Sequence, residues 1–525
     1  MDFLLHHLLD RSVRRFPDKE ALVCAERRLS YGEVARRSAG LASGLRQVGL
    51  ERGDRVGVYL PASVPQVLSI FSVSQAGGVF VPINPLLFPE QVMHIANDCQ
   101  VKGLITSASR LATLGDAIKQ CASLAFVVVV ADDQTPALFV PTHDFDSLCQ
   151  QAPLTRIDDV AIGKDLAALL YTSGSTGCPK GVMLSHDQLM AGTSIVSDYL
   201  EINEGDRILA ILPLSFDAGL NQLTTAFEQG ATLVMMTFVF AREIVQKLQA
   251  ERITALAGVP TLWTLLVQPN SGLHKQSLPH LRYITNTGGA LPQTVLTDLR
   301  GLLPKTKVFL MYGLTEAFRS TYLPPDEVDR RPTSIGKAIP NTEILVINEQ
   351  GGRCELGEIG ELVHRGPTVS MGYWQQPQLT AQRLRPHPLL PSGLAQKERV
   401  CYSGDLVKTD EEGFLYFVGR RDSLIKSSGF RISPTEVEAV LMQSEWLQGA
   451  AVIGVTDEVL GQAVKAFVVP KSEVTLEISR LARFCGEHLP RYMVPKQIEC
   501  LESLPKTASG KVDYPSLKLR EVSAL

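Results

Sequence analysis

The chain has 525 residues, too many for one ordinary core, so two to four domains are expected. Apolar residues make up 45% and charged residues 20%, a globular balance that excludes disordered and fibrous classes. With 51 basic against 55 acidic residues the net charge is −4, so neither nucleic acid nor an anionic membrane is expected as a partner. The nine cysteines are scattered and form no CxxC pair, which argues against a zinc site or a disulfide framework and fits a reducing, cytoplasmic setting.

The opening MDFLLHHLLDRSVRRF reads as a short amphipathic helix rather than a signal peptide, because no basic segment precedes its apolar residues. No run approaches the length of an integral membrane segment; Phe126–Ala131 reads as a short buried strand. Strand patterns at Arg55–Leu60 and Val79–Pro82 alternate with helix patterns at Ser63–Ala76 and Pro89–Cys99. This alternation, continuing to about residue 340, predicts layered α/β subdomains with mostly parallel sheets. From Thr342 onward, short strands at Glu343–Ile347, Ile359–His364 and Phe414–Val418 predict a β-rich subdomain. A boundary is expected near Gly419–Asp422, between a large domain of residues 1–420 and a small mobile α+β domain of residues 421–525. In the small domain Ser433 is placed as an N-cap, Pro434 at the first helical position and Glu436 three residues past the cap. Strands at Ala450–Val455 and Ala463–Val469 follow, then a polar loop at Lys506–Lys511.

The densest chemical signal is Tyr171-Thr-Ser-Gly-Ser-Thr-Gly-Cys-Pro-Lys-Gly181, preceded by the strand-like Ala167–Tyr171. Gly174 and Gly177 let backbone N–H groups converge on an anion, and Thr172, Ser173, Ser175, Thr176 and Lys180 add hydroxyls and a positive charge. A triphosphate needs that density of donors. A flexible Gly/Ser linker seldom follows a buried strand or ends in Pro-Lys-Gly. A Walker loop fails on spacing, since Pro179 precedes Lys180 and Gly181 follows it.

Five further segments carry polar or small residues in motif-like arrangements. They are Thr287–Ala290, Met311–Ala317, Tyr402–Val407, Gly419–Pro434 and Pro505–Val512. Singly, each has a bland reading: a strand-ending turn, a solvated Glu, a turn Asp before a strand, an interdomain linker, an exposed tail lysine. Together they change the balance. TSGSTGCPKG is similar to the phosphate loop of the adenylate-forming superfamily, which includes acyl-CoA synthetases, peptide-synthetase adenylation domains and firefly luciferase. The other five segments follow in that family's order over most of the chain.

The resemblance implies an ATP-dependent, AMP-forming ligase that makes an acyl-adenylate and then passes the acyl group of a small-molecule carboxylic acid to a thiol. It assigns Thr172 to Gly177 and Lys180 to the phosphates of ATP. It sets Gly288, Gly289 and Ala290 beside the adenine, with Gly288 also facing the acyl group. Tyr312 would stack on adenine with Gly313 next to it, Thr315 would contact phosphate and Glu316 would hold Mg²⁺, the ordinary arrangement for a magnesium that keeps several waters. Asp405 would reach the ribose, Arg420 the ribose or phosphate, Asp422 would be the hinge, and Ser428 and Gly429 would line the thiol channel. Lys511 matches the catalytic lysine that bridges carboxylate and phosphate. Two unit charges at roughly 4 Å repel by about 4 kcal/mol at an effective dielectric near 20, and a shared cation removes that cost. One departure stands out: many relatives carry a basic residue near Tyr514, and this chain does not.

Leu214–Gln222 lies where the family builds its acyl pocket. Phe216 would wall it, and Asn221 and Gln222 would disfavour a long alkyl chain. Asp217 has two readings of equal weight, a partner for a substrate ammonium or a cap for the following helix. The acceptor is expected to be coenzyme A, with a phosphopantetheinyl acyl carrier protein as the alternative. No carrier or condensation domain is legible within the 525 residues, and Lys426–Pro434 looks like the acyl-CoA synthetase form. The alternative function is a free-standing amino-acid adenylating enzyme that loads a carrier. A non-catalytic nucleotide-binding regulator is disfavoured by the presence of both Lys511 and Glu316.

Overall fold

The computed structural model describes residues 2–130, 138–152, 160–173, 179–395, 398–421, 423–427, 430–457, 460–472, 475–507 and 510–523. Contacts divide the chain into two compact units. The first comprises Met1–Arg330, Ala338–Glu343 and Arg365–Arg385, and the second comprises Arg331–Lys337, Ile344–His364 and Pro386–Leu525.

The first unit holds two sheets with helices packed around them. In one sheet six parallel strands run in the order Lys307–Tyr312, Tyr283–Asn286, Ala255–Gly258, Arg207–Ala210, Thr232–Met235 and Glu20–Cys24. Thr321–Leu323 and Arg27–Ser30 close its two ends antiparallel. The second sheet runs Gly372–Tyr373, Pro179–Ser185, Leu166–Ser173, Val79–Pro82, Arg55–Tyr59, Gly103–Ser107, Phe126–Val130 and Thr142–Asp144. Helices supply the crossovers that parallel pairing requires. Helix Val64–Gln75 joins Arg55–Tyr59 to Val79–Pro82; Ser63 caps it by accepting from the Gln66 N–H. One continuous core takes Leu22 and Leu233 from the first sheet, Val56 and Ala168 from the second, and Leu41, Val67 and Phe227 from helices. The N-terminal helix His7–Arg15 buries Leu8 and Leu9 in the same core, as its amphipathic pattern predicts.

In the second unit Gly360–Arg365, Arg399–Thr409, Leu415–Arg420 and Ser334–Ala338 pair antiparallel in that order, with Glu343–Ile347 beside Gly360–Arg365. A separate sheet pairs Phe430–Ile432, Ile425–Ser427, Gly461–Pro470 and Leu447–Asp457, with Gln497–Cys500 beside Gly461–Pro470. Helices Pro434–Gln443 and Ile478–His488 cover one face through Val437, Leu441, Leu481 and Cys485. Helix Tyr514–Ser523 packs Leu517 against Ala451, Ile453 and Phe467. The layered α/β architecture and the α+β C-terminal portion are thus as expected. Among the described residues no helix is long and apolar enough to cross a membrane.

Candidate functional site

Strands Leu166–Ser173 and Pro179–Ser185 form an antiparallel hairpin with Thr172 opposite Lys180 and Ser173 opposite Pro179. The chain therefore enters a strand directly after the glycine-rich loop. A Walker loop would open a helix, so the structure agrees with the exclusion made on spacing. Tyr171 anchors the stem: its hydroxyl donates to Asp98 at 2.6 Å. Burial, then the neighbouring Cys99 and Asp98, push that phenol upward, so it stays a donor. Thr172 and Lys180 are half-buried. Gly174, Ser175, Thr176 and Gly177, and the side chain of Ser173, lie outside the described residues.

Two of the other motifs leave the ends of adjacent parallel strands. Tyr283–Asn286 pairs in register with Lys307–Tyr312, so Thr287–Ala290 and Tyr312–Glu316 emerge side by side at the carboxyl edge. This is the edge where open α/β sheets bind ligands. Gly288 has φ +80°, a conformation that L residues rarely adopt, and Gly289 and Ala290 are exposed. The turn is held by Asn286 Nδ2 donating to the Gly289 carbonyl at 2.9 Å and Thr287 N to the Gly258 carbonyl at 3.0 Å. Tyr312, Gly313 and Thr315 are half-buried. At Gly313 an added Cβ would lie 3.1 Å from the Phe318 carbonyl oxygen, a tight contact with the backbone of the next turn.

Glu316 accepts a hydrogen bond from the Tyr373 hydroxyl, and its backbone carbonyl accepts from Ser370 N at 2.8 Å. Burial, then the Glu316 carboxylate, raises the Tyr373 phenol and keeps it protonated. Sequence reasoning did not single out Tyr373. The signal was weak, a Gly-Tyr-Trp run 57 residues beyond its partner.

A cavity of about 30 Å³ in this unit lies beneath these turns. Helix Asp217–Gln229 faces it with Ala218, Asn221, Gln222 and Thr225; Thr287, Met311 and Arg319 close the other side. Phe216 is the half-buried N-cap of this helix and is not among the lining residues; of the Thr287–Ala290 turn, Thr287 lines the cavity and Gly288 does not. Asp217 is the first helical residue rather than the cap, where its charge suits the helix dipole. The partner of Asp217 is Arg319, 3.1 Å away and 4% exposed. Arg319 also went unnoticed in the sequence, because its counter-charge lies 102 residues away. Phe318, at φ +58° with its ring against Gly192, sets the turn that aims Arg319.

In the second unit Asp405 sits opposite Arg420 on paired strands, with Arg420 Nε 3.3 Å from Asp405 Oδ1. Asp405 is buried and lies inside strand Arg399–Thr409, not in a turn before a strand; Gly404, at φ +73°, bends the strand next to it. Lys511 is exposed at the end of a small hairpin closed by a Lys506–Val512 bridge and by Thr507 N donating to the Lys511 carbonyl at 2.8 Å. Tyr514 donates its hydroxyl to Glu438 at 2.8 Å. Asp422, Ser428 and Gly429 lie outside the described residues.

The family model described as AMP-binding enzyme matches residues 9–374, and that described as AMP-binding enzyme C-terminal domain matches residues 436–511. The chain belongs to the AMP-binding enzyme family. This AMP-binding enzyme is 30% identical over 532 residues to delta-poly-L-ornithine synthetase of Acinetobacter baumannii, covering 99% of the chain but 37% of that protein. It is also 30% identical over 534 residues to the long-chain-fatty-acid–CoA ligase of Bacillus subtilis, covering 97% of the chain and 93% of that ligase. Among solved structures it resembles an anthranilate CoA ligase in complex with anthranoyl-AMP, at a TM-score of 0.88 and 25% identity over 100% and 99% of the two chains.

Proposed function

We propose that this AMP-binding enzyme is an ATP-dependent, AMP-forming acid–thiol ligase whose acceptor is coenzyme A. In the first half-reaction the substrate carboxylate attacks the α-phosphate, pyrophosphate leaves and an acyl-adenylate results. In the second, the thiol attacks the acyl carbon and AMP leaves. Thr172, Lys180 and the loop residues between them grip the polyphosphate. Tyr312 and the Gly288–Ala290 turn take the adenine, and Asp405 with Arg420 takes the ribose. Thr315 contacts phosphate. Glu316, steadied by Tyr373, presents a carboxylate suited to a magnesium ion that retains waters and phosphate oxygens. The metal, when bound, supplies charge neutralisation of the phosphates. Lys511 brings its ammonium to the meeting anions. Residues 421–525 act as the moving lid, turning about Asp422, with Ser428 and Gly429 facing the thiol.

One observation favours the acyl-CoA ligase over the amino-acid adenylating alternative. Asp217, the carboxylate that a substrate ammonium would need, is already neutralised by Arg319.

The test is ATP–pyrophosphate exchange across a panel of acids, with products identified by mass spectrometry. AMP and an acyl-CoA are expected. Lys511→Ala should abolish exchange while leaving thiolation of supplied acyl-AMP largely intact. Release of ADP, or loading of a carrier protein with no turnover of coenzyme A, would reject the assignment.

A further inference from the structure

The cavity beside helix Asp217–Gln229 is unusual in the polar groups it leaves without partners. Arg319 Nε, Asn221 Nδ2 and Gln222 Oε1 are buried and make no hydrogen bond, and their residues are 4%, 4% and 6% exposed. All three residues line the same space. Buried polar atoms are almost always paired, and an orphan costs about 1–3 kcal/mol, so three around one cavity call for an occupant that pairs them. Two are N–H donors and one is a carbonyl acceptor. Thr225, Thr285, Thr287 and Tyr283 add polar groups to a wall otherwise made of apolar side chains such as Val196, Leu200, Ile208 and Met311.

The charges at this spot cancel within the chain. Arg319 Nη1 holds Asp217 Oδ2 at 3.1 Å and also donates to the Phe318 carbonyl at 3.1 Å. A substrate ammonium would compete with Arg319 for Asp217, and a second substrate carboxylate would compete with Asp217 for Arg319. An unbranched alkyl chain would leave all three orphans unpaired. A hydroxyl does neither. Its oxygen accepts from an N–H of Asn221 or Arg319, and its proton goes to Gln222 Oε1.

The geometry points to a carboxylic acid bearing an uncharged hydroxyl on its carbon skeleton as the substrate, with Arg319, Asn221 and Gln222 as the specificity-determining residues. This assignment rests on the ligase reading above and on the cavity being its acyl pocket.

The experiment is ATP–pyrophosphate exchange with two matched sets, hexanoate and benzoate each compared with their hydroxy, amino and dicarboxylic counterparts. The hydroxy acids are expected to exceed the unsubstituted acids by about 100-fold or more in kcat/KM, as for sites built to hydrogen-bond a substrate hydroxyl. Which carbon skeleton wins identifies the aliphatic or aryl source. Asn221→Leu, close in volume, should lower kcat/KM for the hydroxy acid by about 10-fold and raise it for the unsubstituted one. Asn221→Ser, which keeps a donor, should retain the preference. Fastest exchange with the alkyl, amino or dicarboxylic acid would overturn the hydroxy-acid assignment and leave the ligase reading standing. Exchange with no acid at all would overturn both.

Discussion

Glu438 provides a sharp test of the second unit because one proton decides its contribution. It lies on helix Pro434–Gln443 and accepts from the Tyr514 hydroxyl at 2.8 Å and from Val452 N at 2.7 Å. Tyr514 follows the Lys511 hairpin, so this carboxyl ties that hairpin to helix Pro434–Gln443. Burial pushes Glu438 from 4.5 up to about 7, against the opposing pull of its two donors. The folded form therefore keeps a proton that the unfolded chain sheds above pH 4.5. Stability from this group is full below pH 4.5 and is lost as pH rises to about 7. At 1.36 kcal/mol per pH decade, the loss across that window is about 3 kcal/mol. Glu438→Gln carries a neutral acceptor at every pH and should not show it. Hydrogen-exchange mass spectrometry on peptides covering Pro434–Gln443 and Leu447–Asp457 reads the second unit alone. Wild type should open progressively more readily between pH 4.5 and 7 once intrinsic exchange is corrected, while the variant stays flat. Parallel profiles for the two proteins would refute the buried-carboxyl argument.

Other consequences concern the first unit. Tyr373→Phe removes the hydroxyl that steadies Glu316 and should cost about 10-fold in kcat/KM for adenylation, with a raised Mg²⁺ requirement; an unchanged metal titration would dissociate Tyr373 from the metal. Asp217→Asn leaves the Arg319 guanidinium buried without its anion and should destabilise by about 3–5 kcal/mol, whereas adding Arg319→Met should restore more than half. Strict additivity of the two changes in thermal unfolding would show the ion pair to be inert. Gly219→Ala would place a Cβ 2.0 Å from the Pro213 carbonyl. It should lower the melting temperature by an amount matching about 1–3 kcal/mol and slow exchange for every acid; a fully stable, fully active variant would contradict that packing.

Regular elements with their own local signals were legible from the sequence. Val79–Pro82 and Glu343–Ile347 match their predicted spans, and helix Pro434–Gln443 starts where the Ser433 cap places it. Where pairing rather than composition sets the limits, the sequence pattern falls short. The strand read at Ala463–Val469 runs from Gly461 to Pro470, because its partner Leu447–Asp457 continues the ladder past residues of low strand preference. The motifs were legible because each is a local run of residues. Arg319 and Tyr373 were hidden because their meaning depends on partners far along the chain. The same long-range contact resolves Asp217, whose cap reading fails on helix position and whose charge finds its partner in Arg319.

The hairpin beneath the glycine-rich loop has one more implication. Its stems are paired up to Thr172 with Lys180 and Ser173 with Pro179, so substitutions between residues 174 and 178 leave the register of the two strands in the sheet fixed by the stems themselves.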